Sequence, residues 1–386
     1  MGGEYVLQRI SLKELRRFFN RQIKLNDQVT SLTDHRKKRE IPLSHIFYSL
    51  LYTTILSKNT FLNKDKFLRK HFTKRFIGSN RTMVASDSTL FRNLGTNIET
   101  DELQAINFVI SQNHDNLKLI EPTLKKICGI LDGTFIGGFM KEVLFIPGET
   151  DFIFNFNSIP KRGKELVSAK KLLNETNERV GSNYFDLILG DGLYYSKNMF
   201  QLCRETLGSH LLVKTSERLN VVKDVEAIIH DFPKQIDTKT GFDSDRLLKY
   251  KINVVKDVTA DTIDYPLQVA IIEEISKDKK ENFYVITSDL SLTPEELRYA
   301  AHLRWRIENN GFKELNHLYN TKRKYTKNET CFTNLFWIIV LAYNLFHLYL
   351  NFIDISDFII SGKSVLKDWI DLLYESIIED FSYNSS

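Results

Sequence analysis

Two apolar runs that each close on Asp-Gly constrain this chain more than any other feature. Ile130-Leu131-Asp132-Gly133 and Leu189-Gly190-Asp191-Gly192 both carry a carboxylate off the end of a strand-like stretch. Between them, KEVLFIPG and TDFIFNFN read as strands joined by a Pro-Gly turn. GKELVSAKKLLNETNERV then reads as a helix with Leu166, Ala169, Leu172 and Leu173 on one stripe. The order strand, hairpin, helix, strand predicts a mixed sheet whose last link is a crossover, right-handed by the usual rule. At the carboxyl end of a sheet strand a side chain leaves the core for a crevice, and a following glycine allows a sharp turn. Carboxylates brought side by side repel unless a cation holds them, and hard oxygen ligands select Mg²⁺ or Mn²⁺. A single Asp before Gly is commonly a turn residue and nothing more; the matched pair in one such unit carries the reading.

The third acidic candidate lies on a helix with a well-specified start. LTPEELRYAAHLRWRIENNGFKEL opens with Thr293, Pro294 and Glu296, a capping box with proline at the first helical position. Spacings of three and four put Ala301, Arg304 and Glu308 on one face, so Arg304 and Glu308 are expected to point together towards the sheet. As a surface ion pair alone they would be worth little. Trp305, Asn309, Asn310 and Lys313 add side chains suited to gripping a nucleic-acid strand or an extruded base.

After Asp191 the pattern continues with a helix, SKNMFQLCRETL, and a strand, SHLLVKT. From about 219 to 290, KYKINVV, PLQVAIIEEI and NFYVITSDL alternate as strands after a helix near 222–231. Upstream, the chain reads as helices. Leu12, Leu15, Phe18 and Phe19 recur at helical spacing with Arg16, Arg17 and Arg21 facing out, and two further helices are predicted between 86 and 113. Charge is distributed unevenly: residues 1 to 81 hold 18 Lys+Arg against 6 Asp+Glu, a net of +12, which leaves the other 305 residues at −8 within an overall +4. A basic front end of this kind points to a polyanion. Within it, KDKFLRKHFTKRF at 64–76 interleaves Lys66, Arg69, Lys70, Lys74 and Arg75 with phenylalanines, so that the basic side can meet phosphates while the aromatics pack inward. A solvated amphipathic helix is the alternative for that stretch.

Cys128, Cys203 and Cys331 are far apart and form no C-x-x-C pair, which supports neither a zinc site nor a disulfide framework and suits a reducing cytosol. The opening MGGEYVLQRISLKEL has no basic region followed by an apolar run, so no secretory signal is expected. Residues 331–350 approach membrane-spanning length, but Asn334, Asn344 and His347 interrupt them, and a buried helix of a soluble protein is the expectation.

The run HLRWRIENNGFKEL at 302–315 resembles the helix that supplies the catalytic Glu in IS4-type insertion-sequence transposases, and DGT at 132–134 and GDGLYYS at 190–196 are similar to that family's two Asp motifs. The resemblance runs from about 84 to 350. It implies an α/β, ribonuclease-H-like mixed sheet core with an all-α N-terminal region and a β-rich insertion before the Glu helix. It further implies a DDE transposase that cuts at transposon ends and transfers the 3′-OH into target DNA, with Asp132, Asp191 and Glu308 binding two Mg²⁺ or Mn²⁺ ions. By the same resemblance Arg304 would meet a DNA phosphate near the element end and Trp305 would assist base flipping. Two positions depart from the pattern: the tyrosine expected three before the Arg is Ala301, and the lysine expected seven after the Glu is Leu315, with Lys313 nearby.

On this basis the expected division is 1–82, a basic helical DNA-binding region; 83–125, a helical support; 126–218, the first part of the core; 219–291, the β-rich insertion; 292–352, the Glu helix and rest of the core; and 353–386, a helical tail. Expected partners are DNA, as terminal inverted repeats and target, and a second copy in a synaptic homodimer, with no membrane and no small-molecule cofactor. The expected location is the prokaryotic cytoplasm, on the nucleoid. Two other readings are a domesticated descendant that binds DNA without cutting it, and a stand-alone ribonuclease-H-like nuclease without strand transfer.

Overall fold

The computed structural model describes residues 11–37, 39–71, 84–112, 118–260, 263–277, 279–353 and 366–382. They divide into two compact units. One, built on a sheet, comprises His114–Phe135 and Phe139–Phe312; the other, helical, comprises Met1–Asn113, Ile136–Gly138 and Lys313–Ser386.

Among the described residues of the first unit, the strands are β1 (Cys128–Ile136), β2 (Phe139–Pro147), β3 (Asp151–Ser158), β4 (Leu187–Asp191), β5 (His210–Thr215), β6 (Asp237–Asp243), β7 (Leu248–Ala260), β8 (Ile263–Ile275) and β9 (Lys280–Thr287). They form one sheet in the order β3-β2-β1-β4-β5-β9-β8-β7-β6. β4 runs parallel to β1 and to β5, whereas β2 with β3, β5 with β9 and the strands beyond pair antiparallel. The sheet is therefore mixed, and its first five strands lie in the ribonuclease-H-like arrangement. The central strands are apolar runs because both faces are covered: residues 128–131 of β1 and 187–190 of β4 are all buried.

Helix α1 (Glu165–Val180) links β3 to β4 and buries Ser168, Ala169, Leu172, Leu173 and Thr176, packing on β2 and β3. α2 (Lys197–Gln201) widens into a π turn over Leu202–Leu207 before β5, and α3 (Asn220–Asp231) precedes β6. α4 (Pro294–Leu303) starts as its sequence predicts: Thr293 Oγ1 accepts from the Glu296 amide, and the Glu296 carboxylate accepts from the Thr293 amide at 2.8 Å. The strands of segment 219–291 do not form a sheet of their own. β9 pairs with β5 through Leu212↔Thr287 to Thr215↔Tyr284, which continues the core sheet outward. β6, DTKTGFD, was not legible as a strand, because it is a polar, largely exposed strand at the sheet's edge with no apolar alternation to betray it.

The helical unit contains helices Leu12–Arg21, Leu25–Thr30, Leu43–Ile55, Phe61–His71, Asp87–Thr96, Thr100–Ser111, Lys313–Tyr319, Glu329–Phe352 and Leu366–Ser382. Leu15, Phe18 and Phe19 are buried, and Arg17 and Arg21 are exposed, as their spacing requires. The long apolar helix Glu329–Phe352 is the core of this unit, with 83% of its most apolar window buried. Its polar interruptions have partners. Asn334 Nδ2 donates to the Leu94 and Ile98 carbonyls, both at 2.8 Å, and Asn334 Oδ1 accepts from Thr100 Oγ1 at 2.7 Å. Asn344 Nδ2 donates to Asn107 Oδ1 at 2.8 Å.

Asn334 thus satisfies a carbonyl at the end of one helix, another in the loop that follows, and a hydroxyl in the first turn of the next helix. Asn334→Ala is expected to lower stability by about 2–3 kcal/mol, since two buried carbonyl acceptors and a hydroxyl donor lose their partner. Urea unfolding followed by circular dichroism measures this; a midpoint equal to wild type would show that the bonds contribute nothing.

Candidate active site

Strand register brings the two aspartates together. In the parallel pair β1–β4, Ile130 lies opposite Leu189; two residues further along each strand stand Asp132 and Asp191, so the carboxylates start from adjacent backbones at the same level. Asp191 is the last residue of β4, and its Oδ1 accepts from the Leu193 amide at 2.9 Å, capping the short 3-10 turn Gly192–Tyr194. Asp132 sits inside β1, where full burial gives way to alternation.

Glu308 arrives by a different route from the expected one. The sequence predicts a continuous helix through 293–315, but α4 ends at Leu303, Arg304 is its C-cap, and after Trp305 the chain forms a π segment, Ile307–Phe312. Such wide turns recur at functional sites, because they rotate side chains out of the α-helical register. The Arg304 to Glu308 spacing survives the change: Arg304 Nη2 lies 2.7 Å from Glu308 Oε1, while Nη1 lies 3.7 Å from Asp132 Oδ2. One guanidinium therefore bridges two of the three acids. Its side chain is 11% exposed and that of Glu308 is 49% exposed, so the arginine is fixed and the glutamate has room to move. Ala301 is buried, and the Tyr299 hydroxyl donates to Glu121 at 2.5 Å.

The Asp132 carboxyl is pushed up to about 7. Burial is the main cause; Arg304 opposes it, and the charges of Glu308 and Asp191 raise it further. All three acids thus belong to one electrostatic neighbourhood.

Sequence reasoning missed three side chains here. Glu142, on β2, is fully buried. Its carboxyl rises to about 8, from burial first; the Tyr194 hydrogen bond opposes this, and Asp132, Asp191 and Glu165 add to it. The Tyr194 hydroxyl donates to Glu142 Oε1 at 2.6 Å. Lys214 lies opposite Asp191 in the β4–β5 register, with Nζ 3.7 Å from the ring centre of Trp305 and 4.0 Å from that of Phe283. Burial chiefly, then Arg304, brings its ammonium down to about 8. Lys141-Glu142 was visible as a charged pair in an apolar strand, but β2 is buried on both faces beyond Met140, so alternation gave no signal. The glycines of the second Asp motif serve close approach rather than an unusual backbone turn: a Cβ on Gly190 would stand 2.6 Å from Tyr194 Cδ2, and one on Gly192 2.8 Å from Thr215 Oγ1.

Of the side chains expected to meet DNA, Trp305 and Asn309 line one cleft of about 480 Å³ with Arg246, Arg298, Arg306 and Asn310. Lys313 is exposed and opens helix Lys313–Tyr319 of the helical unit. Lys66 and Arg69 are exposed on helix Phe61–His71, with Arg69 Nε 2.8 Å from Asp65. Lys74, Arg75 and the Lys70 side chain lie outside the described residues. Lys64, in the same basic run, is buried with Nζ 2.6 Å from Thr54 Oγ1, and burial brings its ammonium down to about 7.

Among the described residues no group of three His, Cys, Asp or Glu side chains is arranged to hold a metal ion; Glu308 is turned onto Arg304 instead. The donor chemistry nonetheless suits a hard divalent cation. Every candidate ligand is a carboxylate, and burial first, then the charges of Glu308 and Asp191, disfavours Asp132 as an anion in the absence of a cation. A family model described as transposase DDE domain matches residues 120–345. A search among curated proteins finds no match.

The raised carboxyls fix a pH dependence for the protein kept in chelator. Asp132 and Glu142 hold protons in the folded state up to about 7 and about 8, against 3.8 and 4.5 for the free groups. Between those limits the folded chain binds more protons than the unfolded one, so their contribution is most favourable at low pH and is lost as pH rises through the folded values. Glu142→Gln is expected to flatten the fall of the thermal midpoint between about pH 5 and about pH 8. An unchanged pH slope would refute the assignment of burial as the cause.

Proposed function

The chain belongs to the transposase DDE-domain family, and on that premise we propose that it is a cut-and-paste DNA transposase of IS4 type, with Asp132, Asp191 and Glu308 as its catalytic carboxylates. The observation that supports this most directly is the meeting of Asp132 with Asp191 across the parallel pair β1–β4, joined to Glu308 through Arg304. Three acids drawn from distant parts of a chain, with Asp132 raised by burial and by the charges of the other two, have no structural purpose that neutral residues would not serve better.

The same three residues are proposed to hold two Mg²⁺ or Mn²⁺ ions. Divalent ions bound there supply activation of the attacking hydroxyl and stabilisation of the departing 3′-oxygen of the DNA. Asp132 and Asp191 offer oxygens fixed by the sheet, and the half-exposed Glu308 completes the set by turning away from Arg304. Arg304 then stands as a positive group beside the carboxylates, placed to meet a phosphate of the element end. Trp305 offers a ring in a cleft that also presents Asn309 and three arginines, which suits a base drawn out of its stack. Lys313 and the basic residues Lys66, Arg69, Lys70, Lys74 and Arg75 are assigned to backbone phosphates. The acting form is proposed to be a homodimer on paired terminal inverted repeats, working on nucleoid DNA in the cytoplasm.

Asp132→Asn, Asp191→Asn and Glu308→Gln are each expected to reduce Mn²⁺-dependent nicking of DNA carrying the gene's flanking ends by roughly a thousandfold or more. Gel-shift affinity for that DNA and the far-ultraviolet circular dichroism should persist. Nicking by Asp132→Asn at the wild-type rate would remove the proposal.

A further inference from the structure

The π segment that carries Glu308 is held by a carboxylate that the three-acid scheme does not use. Asp151, the first residue of β3, is buried. Its Oδ1 lies 2.8 Å from Arg306 Nε, and its Oδ2 accepts from Asn310 Nδ2 at 2.9 Å. These partners stand two residues before and two residues after Glu308. On a helical turn, residues four apart share one side, and the residue midway between them stands on the other. Between the two partners Ile307 is buried, and beyond them Gly311 packs on Phe145 of β2, where an added Cβ would stand 3.3 Å from the ring. One side of the segment is thus tied to the β2–β3 hairpin, and Glu308 is left on the other, against Arg304. Asn310, by its type suited to gripping a nucleic-acid strand, is engaged with a carboxylate of its own chain.

We propose that Asp151 is a positioning residue for Glu308, an inference that rests on the reading of Glu308 as a catalytic carboxylate. Asp151 fixes the backbone on both sides of the glutamate and leaves its side chain to the site. The clamp needs an anion: two donors arrive, one at each oxygen, and a neutral amide would accept from one while turning its own N–H groups on the other. A role in the strength of the fold alone is the alternative. That role lowers activity only as far as it lowers the folded fraction, whereas a misplaced Glu308 weakens the grip on a divalent ion in protein that is fully folded.

Asp151→Asn in the full-length protein separates the two by three measurements: the thermal midpoint in chelator, Mn²⁺ affinity by titration calorimetry without DNA, and steady-state nicking of DNA carrying the gene's flanking ends. Mn²⁺ affinity is expected to weaken by roughly tenfold and kcat to fall by roughly ten- to a hundredfold, with KM for the DNA within about twofold of wild type. Asn310→Ala, which removes one arm of the clamp, should show the same pattern at smaller size, and Arg306→Lys, which keeps the charge, should be milder than Arg306→Met. Wild-type Mn²⁺ affinity and kcat in Asp151→Asn, beside their loss in Glu308→Gln, would overturn the positioning role and leave the three acids standing. Wild-type Mn²⁺ affinity with a kcat that falls only in step with the folded fraction would overturn it equally, assigning Asp151 to stability alone. A raised KM at unchanged kcat in Asn310→Ala would make Asn310 a DNA contact and dismantle the clamp. Wild-type affinity and kcat in Glu308→Gln would remove the reading beneath the proposal. If Asp151→Asn does not fold, Asn310→Ala decides: wild-type Mn²⁺ affinity and kcat there defeat the proposal.

Discussion

The parallel pairing of β1 with β4 is the constraint from which the site follows. Three register pairs, Cys128↔Leu187 to Ile130↔Leu189, are enough to set Asp132 level with Asp191. A slip of one residue would turn one of the two carboxylates to the opposite face of the sheet. Both strands are buried on both faces at that point, and α1 is the crossover that brings the chain from the hairpin to β4. The fold thus does not merely carry the acids. It forces them together before any ligand is considered.

Bringing buried carboxylates together is unfavourable, and the surroundings offset the cost unevenly. Arg304 offers one positive charge to Asp132 and Glu308, and the nearer contact, 2.7 Å, goes to Glu308. Asp132, held at 3.7 Å, keeps a raised proton affinity, so the arginine's attraction loses to burial and like-charge repulsion there. Lys214 is the other cation of this neighbourhood, yet its ammonium sits against the faces of Trp305 and Phe283. The net result is an aspartate that holds its proton more tightly than a free one.

Much of this was legible in the sequence, and the failures have physical causes. Asp132, Asp191 and Glu308 could be nominated because two of them end apolar runs on Asp-Gly and the third follows a helix whose start is marked by a capping box at Thr293. The buried helix Glu329–Phe352 was legible because Asn334 and Asn344 are too polar for lipid. What they bond to, backbone carbonyls around Leu94 and Ile98 and the side chain of Asn107, more than two hundred residues upstream, was not. The buried Glu142 escaped notice because a strand buried on both faces has no alternation to mark which side a charged residue takes. The break at Arg304 escaped because a π turn preserves the local composition of an α-helix and differs only in its hydrogen bonds. β6 escaped because an exposed edge strand is held by its partner β7 and not by its own apolar residues.

The segment from β6 to β9 then acquires a purpose that its sequence did not suggest. Glu274 of β8 lies 2.7 Å from both Arg298 Nε and His302 Nε2, and Arg298 Nη2 lies 2.8 Å from Asp243 at the end of β6. The guanidinium of Arg298 also lies over the ring of Tyr250 on β7. Arg298 and His302 are one turn apart on α4, so this largely buried network clamps the helix to the outer strands along one face. Because β9 is bonded to β5, and β5 to β4, the clamp is referred back through a continuous ladder to the strand that carries Asp191. The last turn of α4 is therefore fixed relative to the aspartates, and the π segment that follows begins from a defined point. Glu308, five residues beyond Leu303, meets Arg304 from that anchor. The outer strands act as the strut that fixes where the π segment begins.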